Sequence, residues 1–286
     1  MREMPPLQLL QWRLIPRKER PGDLEKIEVS MLGTPRLEWA GETLTVASRK
    51  SLALLCYLAL SGRPVPRQKA ADLLWGGGLA NVRQALYQLR QLPGADSWLG
   101  TGDELEIRAT VDLHRLEQYV ADSDFEAAIS LWRGGFLTGL HLDDCPELQL
   151  QFDDTARRAE GLIRAALSGR ASELERAGDL DGALRAIETR LELDPFDEDA
   201  LRQALRYEYL LDRTGPALQR FEQFSRQLEQ ELGGQPEAAT LELISSLQDG
   251  TFAAHAGFDA LPVRLRQLLA AIHVAGEGLG IEELAA

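Results

Sequence analysis

The sequence predicts a mainly α-helical protein with a small β part: a winged helix-turn-helix followed by tetratricopeptide-like α-helical repeats. Three observations predict it. Residues 66–92 read as two short amphipathic helices joined by a glycine turn. Short alternating β segments stand on either side of them. A motif restarts three times through an acidic second half.

Residues 1–26 are rich in Arg, Lys and Pro, without a firm apolar period, and read as a mobile N-terminal arm. Gln, Trp and Arg interrupt its apolar part and no small-residue cleavage site follows, so it is a poor signal peptide. A first domain covers 27–110. Ile27–Met31 and Arg36–Trp39 alternate, and Ala40-Gly41-Glu42 turns into Leu44-Thr45-Val46, giving three short antiparallel strands. Ser48 is placed to cap a helix running to about Leu60 and stopping at Ser61-Gly62. Its interior, LALLCYLAL, is apolar nearly all round and belongs at the centre of a small core. Cys56 within it reads as a small buried hydrophobe.

In the first helix of 66–92, Ala70, Leu73 and Leu74 share a face. In the second, Val82, Ala85, Leu86 and Leu89 recur at i, i+3, i+4 and i+7. The intervening Gly76-Gly77-Gly78 supplies positive φ at little cost, and Asn81 is a candidate cap. With Val82 and Leu86 inward, Arg83, Tyr87 and Arg90 fall on the outer face beside Gln84, Gln88 and Gln91. Arg, Asn and Gln are the side chains that read base edges bidentately. A short helix presenting them after a tight turn is a candidate recognition helix. Pro93-Gly94 ends it. Trp98-Leu99, a turn at Thr101-Gly102-Asp103 and the alternating 104–109 then read as a β-hairpin with Leu105, Ile107 and Ala109 inward.

From Val111 the pattern is helical, with Asp112 as a cap, and a second domain covers 111–250. SDFEAAI at 123–129, GDLDGAL at 178–184 and DRTGPAL at 212–218 resemble one another. Ala183 and Ala217 stand one tetratricopeptide period apart, while the gap from Ala128 to Ala183 is longer and implies an insertion. That insertion carries GGFLTGLHLDDCPEL and a long helix through 146–168. Leu193-Asp194-Pro195 ends a helix, and the whole reads as stacked helical hairpins. Residues 251–286 turn Ala- and Gly-rich. They read as a helical segment that either begins a further domain or caps the repeats.

The net charge of −14 is unevenly spread. Residues 1–26 carry 6 basic and 4 acidic groups, 27–109 carry 9 and 8, 110–250 carry 14 and 29, and 251–286 carry 2 and 4. The acidity therefore belongs to the repeats, which phosphate repels and which stay free for protein partners. The near-neutral 27–109 segment permits nucleic-acid binding without being a basic footprint. No run of 18 apolar residues exists, so no membrane span is expected. The two cysteines, Cys56 and Cys145, make no disulfide framework, and a cytoplasmic location is the default. The glycine run lacks the GK[ST] of a phosphate cradle. His141, Asp143, Asp144 and Cys145 match no zinc spacing and read as a loop. No nucleophile-and-base constellation occurs, so neither an enzyme nor a cofactor is expected.

In this order and spacing, VSMLG at 29–33, SRKSLALLCYLAL at 48–60, LLWG at 73–76, NVRQALYQLR at 81–90, VDLHRLEQYV at 111–120 and ELDPFDEDALRQAL at 192–205 carry a resemblance, with GPALQRFEQFSRQLEQELGGQP at 215–236. The chain resembles bacterial transcriptional activators of the antibiotic-regulatory-protein type. In these, a response-regulator-like winged helix precedes a bacterial transcriptional activation domain. The resemblance covers roughly 27–250. It implies a sequence-specific regulator, most simply an activator, whose two protomers bind double-stranded DNA at direct repeats as a homodimer and contact RNA polymerase. Matching positions are Asn81, Arg83, Gln84, Tyr87, Gln88 and Arg90 for the recognition helix, and Arg49 and Lys50 at a phosphate-touching helix start. Arg67 and Lys69 match the helix crossing the backbone, and Thr101 and Gly102 match the wing tip. Asp103 and Glu104 beside that tip keep an alternative open, a tetratricopeptide-type interaction adaptor with weak or lost DNA binding.

Overall fold

The computed structural model describes residues 26–100, 102–249 and 251–252. The expected N-terminal arm up to residue 25 and nearly all of the C-terminal segment lie outside the described residues. The chain forms two compact units. Of the described residues, the first takes in those up to Met31, Pro35–Val111 and Leu140–Leu148, and the second takes in Leu32–Thr34, Asp112–Gly139 and those from Gln149 onward.

In the first unit, β1 (Ile27–Ser30), β2 (Arg36–Trp39) and β3 (Glu42–Leu44) are the expected antiparallel strands. Ser48 caps α1 (Arg49–Ser61), accepting the Ser51 amide, and Gly62 ends it at φ 57°. Residues 53–59 of α1 are all buried, so its all-round apolarity does mark the centre of the core. A two-residue strand, β4 (Val65–Pro66), leads into α2 (Arg67–Trp75) and α3 (Leu79–Arg90). Gly76 and Gly77 take φ of 56° and 92° between them, a region where an L side chain would be strained.

The β pairing after α3 includes the expected hairpin and adds pairings to it. Trp98 is fully buried in a one-turn helix, α4 (Ala95–Trp98), and its indole donates to the Pro93 carbonyl at 3.2 Å. Beyond it the expected hairpin closes: Leu99 and Ile107 form a bridge, flanked by the Gly100 amide donating to the Glu106 carbonyl at 2.8 Å and the Arg108 amide donating to the Trp98 carbonyl at 2.7 Å. Leu105, in β5 (Glu104–Leu105), pairs with Val65 of β4. Pro66 has no amide to extend that ladder, which keeps it short. Residue 111 is still strand: β6 (Ala109–Val111) runs parallel to β1, giving the sheet order β3-β2-β1-β6. Ala109 is therefore a sheet residue beside Ile27 rather than an inward hairpin position.

The first unit also takes in Leu140–Leu148, a stretch expected to belong wholly to the repeats. Leu140, Leu142, Cys145 and Leu148 are buried, and the Cys145 thiol donates to the Leu74 carbonyl at 3.4 Å.

The second unit is helical. Asp112 begins α5 (Asp112–Ala121). Its buried carboxylate accepts the Leu32 amide at 2.9 Å and faces Arg133. Next come α6 (Phe125–Ser130) and α7 (Pro146–Arg176), the latter running eight residues past the expected end. Then follow α8 (Leu180–Leu193), α9 (Glu198–Leu210), α10 (Thr214–Leu232) and α11 (Ala238–Gln248). The three similar motifs fold alike. Ser123, Gly178 and Asp212 take φ of 58°, 81° and 60°. Each next amide donates to a carbonyl five residues back: Asp124 to Tyr119, Asp179 to Leu174 and Arg213 to Glu208, at 2.8 to 2.9 Å. This left-handed closure satisfies orphan carbonyls at the preceding helix end. Ala128, Ala183 and Ala217 are each fully buried, where a small side chain allows close helix approach. Arg190 clamps Asp197 bidentately at 2.7 and 2.9 Å, while Asp197 caps α9 through the Ala200 amide.

Candidate nucleic-acid interface

The site is built on α3. Val82, Ala85, Leu86 and Leu89 pack inward and are buried, as their spacing requires. The complementary face is open: Asn81, Arg83, Gln84, Tyr87, Gln88 and Arg90 are all exposed, Tyr87 to 61%. Tyr87 thus stands among amides and guanidiniums and takes no part in the core. The helix starts at Leu79, with Gly78 at the boundary and no side-chain cap. Asn81 is thus not the cap. It lies inside the first turn, its amide donating to the Gly78 carbonyl at 3.0 Å. That places its side chain on the polar face.

Around α3 the expected backbone-contacting residues differ in availability. Lys69 is exposed on α2. Arg67 opens α2 and donates from Nη2 to the Gly102 carbonyl at 2.8 Å, tying the helix to the wing tip. Gly102 is exposed, and Thr101 lies outside the described residues. Arg49 is exposed at the start of α1, its guanidinium 3.4 Å from the His141 carbonyl. Lys50 is committed internally. Its Nζ donates to the Leu74 carbonyl at 2.7 Å and pairs with Asp144 at 2.7 Å. Burial alone would pull this ammonium's pKa down, but the Asp144 hydrogen bond, joined by the neighbouring Cys145 and the Asp144 charge, outweighs it and the net shift is upward. Asp144 is in turn held below the usual carboxylate range, first by the Lys50 hydrogen bond. Gln88 accepts the Ser51 hydroxyl at 2.8 Å, which locks one end of the α3 face to α1.

Sequence reasoning missed the partners of Lys50, because the segment that supplies them reads as a loop with no period. Among the described residues no cluster of three or more metal-ligating side chains occurs. No described helix is long and apolar enough to cross a membrane.

The class of fold is a winged helix with an exposed polar face on α3, followed in the chain by stacked helical hairpins. The family follows from comparison. Residues 103–248, just over half of the chain, match the family described as "Bacterial transcriptional activator domain", and the chain belongs to that family. Its fold is similar to that of Mycobacterium tuberculosis EmbR, solved in complex with a low affinity phosphopeptide. The TM-score is 0.59 at 19% identity, covering 87% of this chain and 70% of that one. No curated protein matches the chain.

Proposed function

We propose that the chain is a cytoplasmic transcription activator that binds double-stranded DNA sequence-specifically through α3. On this reading residues 27–110 are the DNA-binding domain. Residues 111–250 pair protomers on direct repeats or contact RNA polymerase. The observation that carries the reading is the two-sided α3, whose core face is filled and whose polar face is exposed, with Gln88 tied back to Ser51. Arg83, Gln84, Tyr87 and Arg90 would enter the major groove, with Arg49, Arg67 and Lys69 on phosphates.

Three phosphates neutralised per protomer give a slope of log K against log[salt] of about −3. Fluorescence anisotropy on sheared DNA from the source of the chain tests this, beside Arg83→Ala/Arg90→Ala. Salt-sensitive binding lost in the double variant supports the reading. No binding by the folded protein at any salt overturns it. Arg83→Ala alone should cost about 1–3 kcal/mol and relax sequence preference. The engagement of Lys50 by Asp144 favours the second reading, a protein-interaction adaptor. Failure of DNA binding with folding intact is the result that selects it.

A further inference from the structure

Two grooves repeat along one face of the second unit. The earlier is lined by α6, α7 and α8 residues, among them Ala186 and Thr189. The later, of about 370 Å³, lies along α8 and α10 and includes Arg220 and Gln223. Ala186 and Arg220, and likewise Thr189 and Gln223, stand one repeat period apart, so the two grooves are successive copies of one surface.

Their charges differ. In the earlier groove Glu126 and Asp179 are balanced by Arg170 and Arg185. In the later one Arg220 is the cation, and it is already shared. Its guanidinium donates to Glu188 at 2.6 Å and to the buried Glu208 at 2.8 Å. The second Glu208 oxygen is buried with no hydrogen-bond partner. Glu192, one turn from Glu188, is exposed on the same wall. Glu188 and Glu208 therefore share one guanidinium while Glu192 adds a further carboxylate on the wall, so these four groups carry a formal charge of −2. Leu191 and Pro195 give the groove an apolar floor, and the exposed amides of Gln223 and Gln227 line its far side.

We propose that the α8–α10 groove docks a short segment of a partner protein bearing a lysine or arginine next to an aliphatic residue. The cation sits between Glu188 and Glu192, the aliphatic side chain lies on Leu191 and Pro195, and the two glutamine amides hold the segment's backbone. This rests on reading the repeats as a partner surface and names the chemistry that surface selects.

The test uses the full chain and fluorescein-labelled peptides Ala-Lys-Leu-Ala-Lys-Leu, Ala-Lys-Ala-Ala-Lys-Ala and Ala-Glu-Leu-Ala-Glu-Leu. Only the first should bind saturably, and raised salt should weaken it. Glu188→Gln/Glu192→Gln should weaken it roughly tenfold or more. Gln223→Arg/Gln227→Arg, which changes only exposed positions, should do the same and guards against a folding defect in the first variant. Asp153→Asn/Asp154→Asn, an equal charge loss on α7, should leave it unchanged. Equal weakening by the α7 control, equal binding of the leucine-free peptide, full competition by spermidine without leucine dependence, or no saturable binding overturns the proposal. Anisotropy on DNA is run beside it, so a chain that binds DNA but no peptide refutes the groove alone.

Discussion

The Lys50 ammonium and the Asp144 carboxylate stand 2.7 Å apart, joining the start of α1 to the stretch that packs against Leu74. A carboxylate there occupies the cation that the family pattern would offer to phosphate. Asp144→Asn keeps the shape and removes the charge. The expected outcome is tighter DNA binding, with the salt slope steeper by about 1. A slope unchanged from the parent would show that Lys50 stays away from phosphate even when released. The pair is stable across neutral pH. Asp144, with its depressed pKa, contributes above the normal carboxylate range and is lost only as acid titrates through the folded value. Lys50, with its raised pKa, contributes until alkali titrates it. Substitution rather than mild pH change is therefore the right probe.

Two glycines of α7 should respond oppositely to alanine. At Gly161 an added Cβ meets nothing within 4 Å, so Gly161→Ala should stabilise by about 0.5–1 kcal/mol through the unfolded chain's lost freedom. At Gly169 the same atom would sit 2.3 Å from the Phe125 ring. Gly169→Ala should destabilise by roughly 1–3 kcal/mol despite alanine's better helix propensity. Urea unfolding of the two variants checks the reversal of sign.

The left-handed junctions offer a third test. Gly178 already suits its φ, whereas Ser123 holds φ 58° with a side chain. Ser123→Gly should raise stability by up to about 1 kcal/mol, less the entropy glycine adds to the unfolded state. A clear loss in thermal unfolding would mean that the serine side chain supports the junction.

Both cysteines should be inert in the folded protein. Cys56 and Cys145 are buried, and burial pushes the Cys145 thiol upward against the lesser pull of Lys50. Thiol titration at pH about 8 should find neither group until denaturant is added. Rapid reaction of one thiol would show that the 140–148 stretch opens in solution.

What could be read in advance was local. The α3 stripe, the Ser48 cap and the buried alanines follow from periods and short-range chemistry in residues next to one another. The rest depended on partners distant in the chain. Val111 reads as the start of a helix because its neighbours are helical, yet strand β1 recruits it. Lys50 reads as a free cation because nothing near it in sequence is acidic. Arg67 and Gly102 were each legible as site residues, but the hydrogen bond that unites them was not.

Strand β1 also carries a temporal consequence. The ribosome makes it before its partners: β6 follows it by roughly 80 residues and the stretch containing Asp144 and Cys145 comes later still. At bacterial elongation rates of about 5–20 residues per second, one edge of β1 waits for several seconds with its peptide groups unpaired. Such an edge is a template for mispairing with another nascent chain. Glu28, exposed midway along the strand, discourages that encounter. Completion of the first unit is thereby tied to synthesis of Leu140–Leu148, so a polypeptide released before residue 148 would leave Leu74 and its neighbours uncovered.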